Sequence, residues 1–468
     1  MLLFLTVYAK IFGTLISQKL GLISGCPEGL NTKQAPGRLP GLTATKWLSY
    51  GRITIYSQWD ECFGYNLLFE ITAMFSNRFD WQAQPNALST LLAQKKAAGQ
   101  SVIDLTQSNP TRVGLAYDHE AILAALSQAA ALVYEPDARG WPGARRAIAE
   151  YYQEKGCAID PEKLFLTAST SEAYGLLFKL LADGGDEVLI PSPGYPLLAY
   201  LARFEGLQAV AYPLRYDPEQ GWQIDLDLLE ALIAPKTRAI LVVSPNNPTG
   251  SYVKPKELSI LDELCRRHDL ALVVDEVFAD FAADPSASNR LGSVLGRTQC
   301  LTFVLNGFSK VLALPQIKLG WIAMAGQARL TLEAGHRLES LLDFYLPVSA
   351  PVQYAVAPLL GLRPAIQSQI IQRLQDNEQI LRAQVAGLSN SRLLRREGGW
   401  YAIIEVADHL GDEERVIQLL AQANTLVHPG FFYDFHRDGF LVLSLLPEPS
   451  TFQTGVLNIL QAFGKQSA

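Results

Sequence analysis

Leu305-Asn-Gly-Phe-Ser-Lys-Val-Leu-Ala-Leu-Pro-Gln-Ile-Lys-Leu-Gly-Trp321 is the stretch on which the reading of this chain turns. Lys310 stands between an apolar, strand-like run at 301–305 and a second apolar run at 317–325, with Ser309 before it and Lys318 further on. An ammonium at the end of a buried strand is costly unless it is paired or neutralised. One use for that cost is Schiff-base chemistry with an aldehyde, which needs the neutral amine. Taken alone, a surface-loop lysine that follows a serine looks the same, so the decision rests on what lies at the tips of the other strands.

Those strands are expected at 164–167, 187–191, 208–212, 239–244, 271–275 and 301–305. Between them the pattern gives helices at 172–181, 195–205, 226–234 and 258–268. Strand and helix in alternation, with runs such as Ile240-Leu-Val-Val and Leu270-Ala-Leu-Val-Val, predict an α/β domain whose mostly parallel sheet carries helices on both faces. Upstream, helices are expected at 85–98, 120–132 and 144–155 and a short strand at 101–105. Downstream come long helices at 327–344 and 367–388. Strand-like runs at 400–406, 425–427 and 440–445, with a helix around 413–423, make a smaller α+β C-terminal domain. The expected domains are therefore an arm at 74–117, a large domain at 118–345 and a small one at 346–468. No Gly-x-Gly-x-x-Gly element supports a dinucleotide fold.

With 468 residues the chain can hold two such domains around a cleft, and 49% hydrophobic against 18% charged residues is a globular composition. A net charge of −7 leaves no basic stripe to neutralise phosphates, which argues against a nucleic-acid partner. Cys26, Cys62, Cys157, Cys265 and Cys300 are scattered and odd in number, without metal-ligand spacing, as suits reduced thiols in a cytoplasm. The apolar run 1–16 is interrupted by Lys10 and lacks a basic leader, so it makes a poor signal peptide and is short for a membrane span. Residues 25–66 show no sustained helix or strand period, and the ordered pattern begins near Met74. The expectation is that 1–73 is an extension outside the working unit, with Met74 a candidate true start; a membrane-proximal anchor is the alternative.

Ligands of open parallel sheets sit at the carboxyl ends of the strands. After 164–167 comes Ala168-Ser-Thr-Ser-Glu172, where a helix start and the hydroxyls of Ser169 and Thr170 can cradle a phosphate, or simply cap a helix. After 187–191 comes Tyr195, an aromatic face suited to stacking on a flat ring, or a packed loop tyrosine. After 239–244 comes Pro245-Asn-Asn-Pro-Thr-Gly250, a rigid turn that lets Asn247 donate to a ring oxygen. After 271–274 comes Asp275, a carboxylate that is costly inside a sheet unless a cation such as a protonated pyridine nitrogen faces it. Each signal is weak alone. Phosphate cradle, ring stack, ring-oxygen donor, ring-nitrogen acid and aldehyde lysine, each at a strand tip, together describe a pyridoxal 5'-phosphate site.

On these residues, Ser244-Pro-Asn-Asn-Pro-Thr-Gly250 with Ser309-Lys310 above all, the chain from about Met74 onward resembles the class I/II aminotransferases, the aspartate-aminotransferase-like (fold type I) pyridoxal phosphate enzymes. The resemblance implies that Lys310 anchors the cofactor and shuttles a proton, Asp275 pairs with the pyridinium, Asn247 bonds the phenolic oxygen and Tyr195 stacks on the ring. It gives Ser169, Thr170, Ser309 and Lys318 to the phosphate. It implies a homodimer in which Tyr134, in a Tyr-x-x-x-x-x-Gly loop, reaches the partner's phosphate. Three departures stand out. Phe278 replaces the tyrosine that usually donates to the phenolic oxygen, and Lys318 replaces an arginine, losing its bidentate fork. Val442 stands where an arginine usually clamps the substrate carboxylate. Arg112, in the Ser108-Asn109-Pro-Thr-Arg loop, is the candidate replacement, with Arg395 and Arg396 behind it. Asn109 and Trp400 are further candidate substrate contacts, and the aromatics Trp400, Tyr401, Phe431, Phe432 and Phe435 suggest an apolar side chain or simply core.

The expected activity is transamination between an amino acid and a 2-oxo acid, with ping-pong kinetics. A β-lyase or decarboxylase on the same cofactor, or a non-catalytic cofactor sensor, remains open at this level.

Overall fold

A computed structural model describes residues 46–50, 53–60, 64–70, 76–80, 84–287, 289–386, 390–407 and 410–464. The chain divides into two compact units, Met1–Ser76 and Asn77–Ala468. In the first, the strands Lys46–Tyr50, Ile53–Asp60 and Gly64–Glu70 form an antiparallel three-stranded sheet in that order. No strand was expected from the period of 25–66, yet these segments are rich in β-branched and aromatic residues that favour extended chain. The expected start at Met74 falls outside the described residues.

In the second unit, eight strands form one sheet in the order Leu164–Thr167, Gly320–Ala325, Thr302–Gly307, Ala271–Asp275, Thr237–Val243, Glu187–Ser192, Gln208–Asp217 and Gly221–Ile224. The five strands from Thr302–Gly307 to Gln208–Asp217 run parallel. Ala271–Asp275, Thr302–Gly307 and Gly320–Ala325 are buried at every position, which explains their unbroken apolar runs: both faces are covered. Two antiparallel pieces depart from the simple alternation. The second apolar run of the lysine stretch folds straight back as Gly320–Ala325 beside Thr302–Gly307. Gln208–Asp217 is longer than expected because it turns at 218–220 into a hairpin with Gly221–Ile224. The helix expected at 120–132 stops at Leu126, and Ala129–Leu132 is a separate 3-10 turn, since Ser127 and Gln128 bond back to Ala124 and Ala125.

The 23-residue helix Arg363–Val385 leads into a four-stranded antiparallel sheet, ordered Ser391–Leu393, Tyr401–Val406, Phe440–Ser444 and His428–Pro429. Thr425–Leu426 pairs instead with Ile103–Asp104, tying the chain's early arm to this lobe. Asp412 fastens the lobe: its carboxylate accepts from the backbone N–H groups of Gly430, Gly439 and Phe440 and from Arg415, with both side chains of that pair fully buried. Among the described residues no helix is long and apolar enough to cross a membrane.

Candidate active site

The strand tips converge as the sequence order requires. Asp275 ends its strand, flanked in register by Val243 and Leu305, so the turn that begins at Ser244 and the segment leading to Lys310 leave the sheet on either side of it. Asp275 is buried and burial pushes its carboxyl up to about 6, against the pull of the Val277 N–H, the Tyr174 hydroxyl and Lys310. The N–H of Val277 donates to Oδ1 at 3.0 Å and the Tyr174 hydroxyl to Oδ2 at 3.0 Å. A carboxylate so placed retains a large desolvation cost that a facing cation would offset.

Lys310 lies on a one-turn helix, Phe308–Val311, that follows the Thr302–Gly307 strand. Its amine sits 4.5 Å from the ring centre of Trp400 and 5.0 Å from that of Phe278. These apolar walls lower its pKa to about 8, with Asp275 pulling the other way. About a tenth of the amine is then neutral at pH 7, far more than for an ordinary lysine, and the neutral form is the one a nucleophilic amine uses. Trp400 is therefore the wall behind the lysine, fully buried and edge-on to Phe278 and Phe281.

Ser169 caps the helix Thr170–Leu181, accepting from the N–H of Glu172 at 3.1 Å. Gly320 abuts this start so tightly that a Cβ there would lie 2.8 Å from the Ser169 carbonyl carbon and 3.0 Å from the Thr170 nitrogen. A side chain at 320 would displace the cradle. Ser309 is partly buried, while Lys318 is exposed with its backbone in the left-handed region at φ +59°. Asn247 is buried and its side-chain oxygen position has no hydrogen-bond partner. A buried amide end without a partner is completed by a ligand atom or water. Tyr195 is partly buried on the loop after Ser192, and burial, with the Asp275 carboxylate adding to it, pushes its phenol up to about 12.

Around this group the lobes are stitched together. The N–H of Gly194 donates to the Tyr433 carbonyl at 3.0 Å, and the Ser192 hydroxyl to the Asp434 carbonyl at 2.7 Å. The N–H of Ser444 donates to the Leu105 carbonyl and its hydroxyl to the Gln107 carbonyl, both at 2.7 Å. Burial pushes the Tyr401 phenol up, with Ser108 pulling the other way. The loop that carries Asn109 and Arg112 is thereby docked on the end of the strand that carries Val442. The side-chain oxygen of Asn109 is engaged locally, accepting from Thr111 N–H and hydroxyl at 3.1 and 2.8 Å. Arg112 is exposed. Arg396 is held by Glu378 and the Gly399 carbonyl, and Arg395 donates to the Glu219 carbonyl, so both are engaged elsewhere. Val442 is fully buried. His428, its cross-strand partner, brings no charge at neutral pH, because burial pushes it down to about 4. Tyr134, at 72% exposure, lies open on the surface of the single chain.

The sequence missed one contact. Tyr174 sits mid-helix and reads as core, and nothing in its spacing marks it as the donor to Asp275.

A buried acid, a desolvated amine, a helix-start cradle and an orphaned amide at adjacent strand ends are what a pyridoxal phosphate transaminase needs. The sequence model of aminotransferase class I and II matches residues 100–448, and the chain belongs to that family. It is 30% identical over 366 residues to an alanine aminotransferase of Mycobacterium tuberculosis, covering 76% of this chain and 84% of that one. A glutamate-pyruvate aminotransferase of Haemophilus influenzae is 26% identical over 355 residues, covering 74% and 87%. Among solved structures, the alanine aminotransferase of Pyrococcus furiosus superposes with a TM-score of 0.74 at 24% identity, covering 84% of this chain and all of the other. The aspartate aminotransferase of Thermotoga maritima gives 0.70 at 21% identity, covering 83% and 99%. The chain is thus a pyridoxal phosphate-dependent transaminase, and these likenesses lend nothing to a lyase, decarboxylase or sensor. The fit is supported from within the chain by the cradle that Gly320 leaves open and the buried Asp275.

Proposed function

We propose that this transaminase exchanges the amino group of a small apolar amino acid, alanine first, with a 2-oxo acid such as 2-oxoglutarate. The placement of Lys310 beside Asp275, amine and acid both perturbed by burial, carries the catalytic part of the reading. The names of the relatives carry the choice of substrate pair. When bound, the cofactor supplies an aldehyde that takes up the donor's nitrogen and a protonated ring that accepts the electron pair freed at its Cα. Asp275 holds the proton on the ring nitrogen. Lys310, released as a free amine, takes the Cα proton and returns it, while Trp400 and Phe278 keep water from it. Ser169, Thr170, Ser309 and Lys318 are assigned to the phosphate, Asn247 to the phenolic oxygen and Tyr195 to the ring face. Two half-reactions on one site imply ping-pong kinetics.

Arg112 is assigned to the substrate carboxylate. Its loop lies over the end of the strand Phe440–Ser444, where Val442 and the neutral His428 offer no charge. A homodimer is supported by the solvent-facing Leu132, Val133 and Tyr134 and by Phe344, Tyr345 and Leu346, two apolar clusters costly to leave in water. The free, buried thiols Cys157, Cys265 and Cys300 suit a reducing cytoplasm. A panel of amino donors with 2-oxoglutarate tests the substrate: alanine should rank first, and preference for aromatic or acidic donors would overturn the assignment.

A further inference from the structure

The last carbonyls of a helix have no partner inside it. At the end of the one-turn helix that carries Lys310, Phe308–Val311, and two residues beyond it, carbonyls are met by side chains from distant parts of the chain. The Val311 carbonyl accepts from Gln367 Nε2 at 2.9 Å, and the Ala313 carbonyl accepts from the Tyr117 hydroxyl at 2.9 Å. Gln367 stands near the start of the helix Arg363–Val385, and Tyr117 belongs to the arm. The same amide nitrogen of Gln367 also donates to Asp280 Oδ2 at 2.7 Å.

Asp280 is itself fixed. Its Oδ1 accepts from Lys155 Nζ at 2.6 Å, and the Tyr151 hydroxyl lies 3.2 and 3.1 Å from its two oxygens. Burial alone would raise the Asp280 carboxyl, but Lys155, Gln367 and Arg363 more than offset it and hold it below the usual carboxylate range. Tyr151 accepts in turn from Asn306 Nδ2 at 3.4 Å, at the end of the strand that leads to Lys310. A charged, buried anchor therefore stands behind the turn that aims the amine.

We propose that Gln367 is a positioning residue for Lys310, holding the Val311 carbonyl from the Asp280–Lys155 pair, with Tyr117 doing the same at Ala313. An amide is needed because both N–H groups of one nitrogen are used. A carboxylate would face Asp280 with like charge, and an apolar side chain would leave the Val311 carbonyl unpaired. Because Gln367 rides on the helix leading to the small sheet, it ties that lobe to the direction of the amine. This rests on the reading of Lys310 as the cofactor-anchoring amine, whereas the first readout below needs no cofactor.

The test uses the full chain with Gln367→Leu and Tyr117→Phe. In cofactor-free protein, the pH dependence of labelling at Lys310 by an amine-reactive reagent, followed by mass spectrometry, gives the pKa of the amine. It should lie near 8 in the unaltered chain. In Gln367→Leu it should move toward the ordinary lysine value by about one unit, as the amine leaves its apolar walls. In loaded enzyme kcat should fall about tenfold with KM nearly constant, since misaiming by a fraction of an ångström affects the chemical step more than binding. Tyr117→Phe, which removes one hydroxyl, should move both readouts the same way by less, and it carries the test if Gln367→Leu does not fold. An unmoved labelling midpoint with unmoved kcat, even with a lowered Tm, would show a purely structural role and overturn the proposal. Failure of the Lys310 reading itself would be seen separately, as absence of the cofactor from Lys310 in the unaltered chain.

Discussion

Tyr174→Phe isolates the acid at the centre of the site. The change removes one hydroxyl from a buried helix position and leaves the ring in place. That hydroxyl donates to Asp275 Oδ2 at 3.0 Å, and burial keeps its own pKa well above the ordinary phenol, so it remains a donor across the working pH range. A hydrogen bond to a charged group contributes about 1.5–3 kcal/mol. At 1.36 kcal/mol per pKa unit, its loss raises the Asp275 carboxyl by roughly one to two units. Starting from about 6 in the cofactor-free chain, the acid would be about half to nine-tenths protonated at pH 7. A neutral acid cannot hold the ring nitrogen's proton by charge, so affinity for pyridoxal phosphate should fall about two- to tenfold at neutral pH, in step with the lost carboxylate fraction. The loss should shrink as pH rises and the carboxylate reforms. Fluorescence titration of cofactor-free protein between acid and mildly alkaline pH reads both effects. Equal affinity at every pH, or a loss that ignores pH, would refute the claim that Tyr174 acts through the charge on Asp275.

Other outcomes follow from the same geometry. Lys310→Ala should abolish turnover, and measurable activity above a heat-killed control would contradict its role. Because the folded pKa of Lys310 is lowered to about 8, its protonated form opposes folding below that pH, and the cost fades as pH rises toward the unfolded value. Lys310→Met should therefore raise the Tm of cofactor-free protein at neutral pH and lose that advantage in alkali; a lowered Tm at neutral pH would count against a desolvated amine. Arg112→Ala should raise KM for both amino and oxo acids about tenfold or more with little change for a carboxylate-free amine, as read by steady-state kinetics. Asp412→Ala removes one buried carboxylate from Arg415 and frees three backbone N–H groups, which should cost about 3–5 kcal/mol in denaturant unfolding. A loss below about 1 kcal/mol would show the small sheet to be held otherwise.

Much of this was legible because chemistry and chain order coincide in an α/β sheet. Buried parallel strands announce themselves as apolar runs, and the residues after each run fall at one edge. Lys310, Asp275 and Asn247 could be picked out in that way. Antiparallel pieces were harder. The hairpin after Gln208 was hidden by the polar turn at 218–220, and the fold-back of Gly320–Ala325 has the same composition as a parallel strand. Contacts across sequence distance were invisible: Tyr174 and Gln367 carry no local pattern that separates a donor to Asp275 or Val311 from ordinary helix residues. The neutrality of His428 opposite Val442 depends on burial, which only the packed lobe supplies.

Borohydride reduction of the loaded enzyme, followed by peptide mass mapping, bears most directly on the whole account. A reduced pyridoxal phosphate adduct on the peptide containing Lys310, and on no other lysine, is the expected result. An adduct at a different lysine, or none at all in protein that still transaminates, would contradict it.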